Sequence, residues 1–119
     1  EEMAQALFRS WFEDFEPFGG RMPKSWTTGK AEDFFAITIG RTPPRKEAKW
    51  FSTNPEDVVW VSIADMGKCG VFISGSSEYL TREAVSAFNI QIVPSGTVLV
   101  SFKLTIGRVT IADGEMATN

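Results

Sequence analysis

Histidine is absent from this chain, and cysteine occurs once, at Cys69. Without imidazole there is no His-activated nucleophile, no His general base and no His-containing metal site. A lone thiol closes no internal disulfide, which suits a reducing compartment, and it leaves zinc without a ligand set. Cys69 reads as an ordinary buried or turn thiol. No apolar run approaches the roughly 18 residues of a membrane span, so a cytoplasmic location without a membrane partner is expected. The opening Glu1-Glu2-Met3 lacks the basic n-region of a secretory signal and reads as an internal start. There is no glycine-rich phosphate loop, no internal repeat and no low-complexity tract. Carboxylates alone can do acid–base work, yet the acids are scattered without a recognisable spacing. We assign no catalytic residue, no metal ligand and no cofactor.

What is present is a core-forming composition. The 119 residues are 43% hydrophobic and include ten Phe and four Trp, enough for one folded domain and too few for two. The net charge of −3 argues at first against a nucleic-acid partner, but its distribution matters more than its sum. Glu1, Glu2, Glu13, Asp14 and Glu16 face only Arg9 in the first twenty residues, a balance of −4. Arg41, Arg45, Lys46 and Lys49 face only Glu47 between residues 41 and 49, a balance of +3. The acid sits on the first helix and the base in the middle.

Ala4, Phe8, Trp11, Phe15 and Phe18 alternate spacings of four and three, a heptad-like seam that Leu7 and Phe12 widen. Pro17 and Gly19-Gly20 end the helix, and Arg21 to Lys24 reads as a linker. The rest is mainly strand. Strands are expected at Trp26 to Thr28, Ala36 to Ile39, Val58 to Ile63, Val71 to Ser74, Ile90 to Val93 and Thr97 to Phe102. A short helical turn is expected within Gly29 to Phe35, and a helix N-capped by Thr81 over Arg82 to Phe88. Pro94-Ser95-Gly96 is a turn signal.

Along "TVLVSFKLTIGRVTI" (Thr97 to Ile111), Val98, Val100, Phe102, Leu104 and Ile106 alternate onto one face. After Gly107 the apolar residues change phase, to Val109 and Ile111, as at a bulge or corner. Ser101, Lys103, Thr105, Arg108 and Thr110 then form a polar strip. That strip is either a phosphate-contacting surface or an ordinary solvated face. The loop "GRTPPRK" (Gly40 to Lys46) carries two prolines that stiffen it, which lowers the entropy cost of binding through its cations.

The opening "ALFRSWFEDFEPF" resembles the end of the long helix in specificity subunits of type I restriction-modification systems. Phe8, Trp11, Phe12, Asp14 and Phe15 match that helix's Phe-x-x-Trp-Phe-x-Asp-Phe pattern. "PKSW" resembles the Pro-x-Gly-Trp that opens a target-recognition domain, with Ser25 where glycine is usual. "GRTPP", "VVWVSIADM", "VPSGTVLVSFKLTIGRVTI" and "GEMATN" are similar to later landmarks, in the same order. The resemblance implies an α+β chain: a coiled-coil-type helix, then a β-rich, irregular and partial recognition domain. Its expected divisions are 1–18 (end of the spacer helix), 19–24 (linker) and 25–119 (first part of the recognition domain). In that family further strands and helices commonly follow "ATN", so a terminal segment is expected to be missing here.

The resemblance further implies a non-catalytic DNA-reading subunit that directs methyltransferase and restriction subunits to a bipartite site. S-adenosylmethionine would belong to the partner methyltransferase. The partners would be double-stranded DNA, those subunits, and a second conserved helix or another copy of this chain. Ala4, Leu7, Phe8, Trp11, Phe12 and Phe15 would form the helix interface. For DNA, Arg41, Arg45, Lys46 and Lys49 are the leading phosphate anchors, followed by Lys103, Arg108 and Lys68. Thr42 and Ser101 are weaker candidates. Arg41 or Arg45 also suits a bidentate contact to guanine. Asp65 either accepts from a base or caps a turn. The rival readings are a helix-mediated adaptor without DNA contact, a small carboxylate hydrolase, and a module of a fused restriction-methylation enzyme.

Overall fold

A computed structural model describes residues 2–119, so Glu1, counted above among the acids of the first segment, lies outside the described residues. The chain is α+β, an N-terminal helix followed by a strand-rich part. Two compact units divide it between Ile37 and Thr38. No helix among the described residues is long and apolar enough to cross a membrane.

In the first unit, α1 (Glu2–Phe8) continues into a wider π-type turn, Arg9–Glu13, closed by the Asp14 amide donating to the Arg9 carbonyl at 2.9 Å. The helix stops earlier than the seam predicts. Phe15 turns the chain with φ +53°, and its carbonyl accepts the amides of Phe18 and Gly20, each at 2.9 Å. Pro17 explains the early stop, because in a continued helix it has no amide to donate to the Glu13 carbonyl and its ring clashes with that carbonyl. Phe15 and Phe18 therefore leave the helical phase and close on Trp26, with ring centroids 6.3 and 5.2 Å away, while Phe12 stacks on it at 5.5 Å. The strand expected at Trp26 to Thr28 does not form, and Trp26 serves as the centre of this aromatic cluster instead. The helical turn expected within Gly29 to Phe35 is present as a 3₁₀ turn at Ala31–Asp33. Ala36 to Ile39 is irregular rather than extended into a sheet.

The second unit, Thr38–Asn119, holds two small sheets. One has the order β1 (Phe51–Ser52), β4 (Tyr79–Leu80), β2 (Val58–Val61), β7 (Ala117–Thr118), with β2 and β7 parallel. The other has the order β3 (Phe72–Ile73), β6 (Val109–Ala112), β5 (Val98–Val100). Strand β2 lines two cores because alternate residues face opposite ways. Trp60 packs with Leu80, Ala84, Ile90 and Ala117, whereas Val61 packs with Ile73, Leu99, Ala112 and Met116.

Two helices start at side-chain caps: one at Thr81, as expected, and one at Ser62, where the strand expected to run to Ile63 ends at Val61 and a helix begins instead. The Thr81 hydroxyl accepts the Ala84 amide and starts α3 (Arg82–Ala87), whose Val85, with the following Phe88, packs on the first core. Ser62 caps the four-residue α2 (Ile63–Met66). In place of the strand expected at Ile90 to Val93, a single bridge joins Val93 to Met116.

The Thr97 to Ile111 segment differs most from its pattern. It is a hairpin rather than one bulged strand: β5 and β6 run antiparallel, with Val98 opposite Ile111 and Val100 opposite Val109. The alternation survives and its sense is reversed. Leu99, Ser101, Thr110 and Ala112 are buried, while Val98, Val100 and Val109 are exposed. The polar inward groups are satisfied: the Ser101 hydroxyl donates to the Thr105 carbonyl, and the Thr110 hydroxyl to the Val71 carbonyl at 3.0 Å. Burial of hydroxyls costs little once they are bonded in this way.

Candidate functional site

The basic loop is held from several sides. Gly40 lies so close to the end of β7 that a Cβ would run into the Thr118 hydroxyl and carbonyl and come within 2.6 Å of the Asn119 carbonyl. The Arg41 amide donates to the Thr118 carbonyl at 2.9 Å, and the Trp60 indole N–H donates to the Arg41 carbonyl at 3.2 Å. Pro43 is buried. The loop is thus anchored on both neighbouring strands of the first sheet.

Its cations divide into used and unused. The Arg41 guanidinium donates to the Phe88 carbonyl at 3.1 Å, at the end of α3. Arg45 donates to both Glu78 carboxylate oxygens, at 2.9 and 2.8 Å, and lies 4.5 Å from the Phe51 ring centroid and 4.6 Å from that of Trp60. Lys49 pairs with Glu47 at 3.5 Å and sits over the Trp50 ring. Lys46 has no hydrogen-bonding or ionic partner among the described residues, and it is exposed beside exposed Thr42 and Pro44. The sequence identified the cluster. The structure separates three bracing cations from one left to solvent.

Arg108 packs at Gly67, just past the end of α2 and one residue before Lys68. The Arg108 guanidinium donates to the Ile63 carbonyl at 2.8 Å and lies against Gly67, where any Cβ would strike it. Lys68 is the next residue and is exposed. Lys103 is exposed on the β5–β6 turn, whereas Ser101 is only 5% exposed and its hydroxyl is already engaged.

Asp65 sits at the centre of a closed polar knot. Its carboxylate accepts from the Ser62 amide at 3.0 Å and hydroxyl at 2.6 Å, and from the Ser77 amide at 3.2 Å and hydroxyl at 2.9 Å. Burial pushes the carboxyl up, but the donors of Ser62 and Ser77 together outweigh it and hold the group below its ordinary value. Of the two roles open in the sequence, the structure has the cap. The partner Ser77 lies 12 residues away and carried no signal of its own.

Two apolar surfaces complete the inventory. On α1 and the turn after it, Leu7, Phe8, Trp11 and Phe12 are about half exposed, Ala4 is exposed and Phe15 is half-buried. On the second sheet, Phe72, Val98, Val100 and Val109 are exposed, and the hairpin turn beyond them presents Phe102, Leu104 and Ile106. Surfaces of this kind on a small chain mark places of contact.

Residues 23–119 match the family model described as the type I restriction modification DNA specificity domain. Over 101 residues the chain is 30% identical to the type I restriction enzyme MjaIX specificity subunit of Methanocaldococcus jannaschii. That match covers 84% of this chain and 23% of the relative, so the chain spans less than a quarter of that protein's length.

Proposed function

The chain belongs to the type I restriction-modification DNA specificity domain family, and from that premise we propose that it reads duplex DNA for a restriction-modification complex. The observation that carries the reading is the braced loop of residues 40–50. Arg41 and Arg45 are fixed on the Phe88 carbonyl and on Glu78, and Lys46 is left to solvent. A pre-ordered loop loses little entropy when a phosphate arrives. Lys46 is the phosphate contact in the loop, with Lys68 just after α2 and Lys103 and Arg108 on the β5–β6 turn as further positive groups. Arg41 and Arg45 act mainly as positioning residues, and their charge adds to the local field.

In the assembled protein this unit reads one part of a bipartite site. The exposed aromatic face of α1 meets a second helix, in the same polypeptide or in another copy. The methyltransferase and restriction subunits are directed by this recognition, and catalysis with S-adenosylmethionine falls to the methyltransferase. Selection from a pool of random-sequence duplexes by the intact complex tests the proposal. A recovered consensus that weakens when Lys46 is replaced supports it, and recovery of no consensus overturns it.

The exposed aromatic face also favours a second reading, an adaptor that joins proteins through α1 and makes no DNA contact. Fluorescence anisotropy of the intact complex on the selected duplex separates the two. An adaptor shows no sequence-dependent binding.

A further inference from the structure

Resting on that DNA-reading function, we propose that the turn Ser101–Arg108 is a wedge, with Leu104 inserted between base pairs from the minor groove. The turn lies beyond the last cross-strand pair, Val100 opposite Val109, and so is separate from the face of the sheet. At its apex Leu104 is 97% exposed with φ +60°, flanked by Ile106 and Phe102, both exposed. Leucine in that conformation is sterically disfavoured. Something must hold it there.

The holding group is Ser101, itself buried. Its amide donates to the Arg108 carbonyl at 2.9 Å, its carbonyl accepts the Gly107 amide at 2.8 Å, and its hydroxyl donates to the Thr105 carbonyl. The same hydroxyl accepts the Arg108 amide at 3.0 Å. Arg108 then ties the turn to the Ile63 carbonyl at 2.8 Å. An apolar apex on a cross-braced base is shaped to be pushed into something.

The charge around it selects a polyanion. From Thr97 to Ala112 the only charged residues are Lys103 and Arg108, in a chain whose net charge is −3. Lysine is depleted at protein–protein contacts. Apolar wedges of Leu, Ile or Phe beside cations are how minor-groove proteins unstack and kink a duplex. The cations meet the backbone while the leucine enters the step.

The test uses the intact complex and the consensus duplex recovered from the random-sequence pool, with 2-aminopurine walked through the site. The wild type should raise 2-aminopurine fluorescence at one step. Leu104→Gly, which relaxes the backbone rather than straining it, should abolish that rise. It should also weaken binding roughly 10- to 100-fold, the range that burial of one leucine side chain supports. Leu104→Met should retain both, and neither variant should unfold at a lower temperature than the wild type. If Leu104→Gly keeps the fluorescence rise and the affinity while the wild type still selects a consensus, the wedge is wrong and DNA reading stands. If the wild type selects no consensus, both fall. If Leu104→Gly leaves DNA binding intact but alters assembly in light scattering, the apex is a protein contact and the wedge is overturned.

Discussion

Arg45 Nη1 donates to both carboxylate oxygens of Glu78, at 2.9 and 2.8 Å, while its guanidinium lies over the rings of Phe51 and Trp60. Both side chains of the pair are about half exposed, so the pair itself contributes little, on the order of 0–1 kcal/mol. Its value is geometric. The stacked guanidinium fixes the loop at the residue before Lys46.

Lys46→Ala and Arg45→Ala should therefore separate binding from stability. Loss of Lys46 should reduce the slope of log affinity against log salt by about 0.9, with unfolding free energy changed by about 0.5 kcal/mol or less. Loss of Arg45 should cost about 1–2 kcal/mol of stability, from the two ring contacts and the ion pair. Salt titrations of the intact complex and urea unfolding of the variants measure the two effects. Equal salt slopes for wild type and Lys46→Ala would remove Lys46 from the interface.

Asp65 makes the fold acid-sensitive in a defined direction. Its folded-state carboxyl lies below the ordinary 3.8, so its contribution is complete above that value and fades as pH falls through the folded-state value. Asp65→Asn cannot accept from all four Ser62 and Ser77 donors and should lose about 1–3 kcal/mol at neutral pH. The variant should also show a flatter stability curve at the acid end. Urea unfolding at neutral pH and near pH 3 checks both. An acid limb of unchanged steepness would refute the assigned role.

Gly40→Ala should loosen β7, because its methyl meets Thr118 and the Asn119 carbonyl, all atoms of the chain it must lie against. A cost of about 1–3 kcal/mol is expected, together with loss of hydrogen-exchange protection at the Arg41 amide. Retained protection at that amide would show that the strand can yield without parting from the loop.

On the helix, Phe8→Ala with Trp11→Ala should weaken assembly of the intact protein at least about tenfold, or about 1.4 kcal/mol. Secondary-structure content should be unchanged, because neither ring is buried in this unit. Light scattering against concentration follows the change. Unaltered assembly would leave the exposed rings without a partner.

Much of the framework was legible where a local group dictates local structure. Thr81 starts α3 by accepting an amide three residues on, and the apolar run at Val58 to Val61 forms β2. The cationic loop was also legible as a cluster. Its internal partners were not, because Arg45 reaches Glu78 across 33 residues and Arg41 reaches the Phe88 carbonyl across 47. The hairpin escaped for another reason. Gly107, read as a bulge or corner, does take part in the return with φ +86°, but Leu104 at φ +60° gives no turn signal, and the alternation before it fits a single strand equally well. The inward side of that alternation holds Leu99 and Ala112 in the core, and bonded hydroxyls at Ser101 and Thr110 allow it although it leaves the valines exposed.

The two-sided strand β2 has a consequence for how such a domain diversifies. Trp60 supports the basic loop from one side, while Val61 shares the other with Leu99 of the hairpin. The loop can therefore be remodelled over one half of the interior and the hairpin over the other. Each change is felt across a single backbone instead of through a common pool of side chains. Such insulation lets substitutions in the loop and in the hairpin be absorbed separately without the domain coming apart.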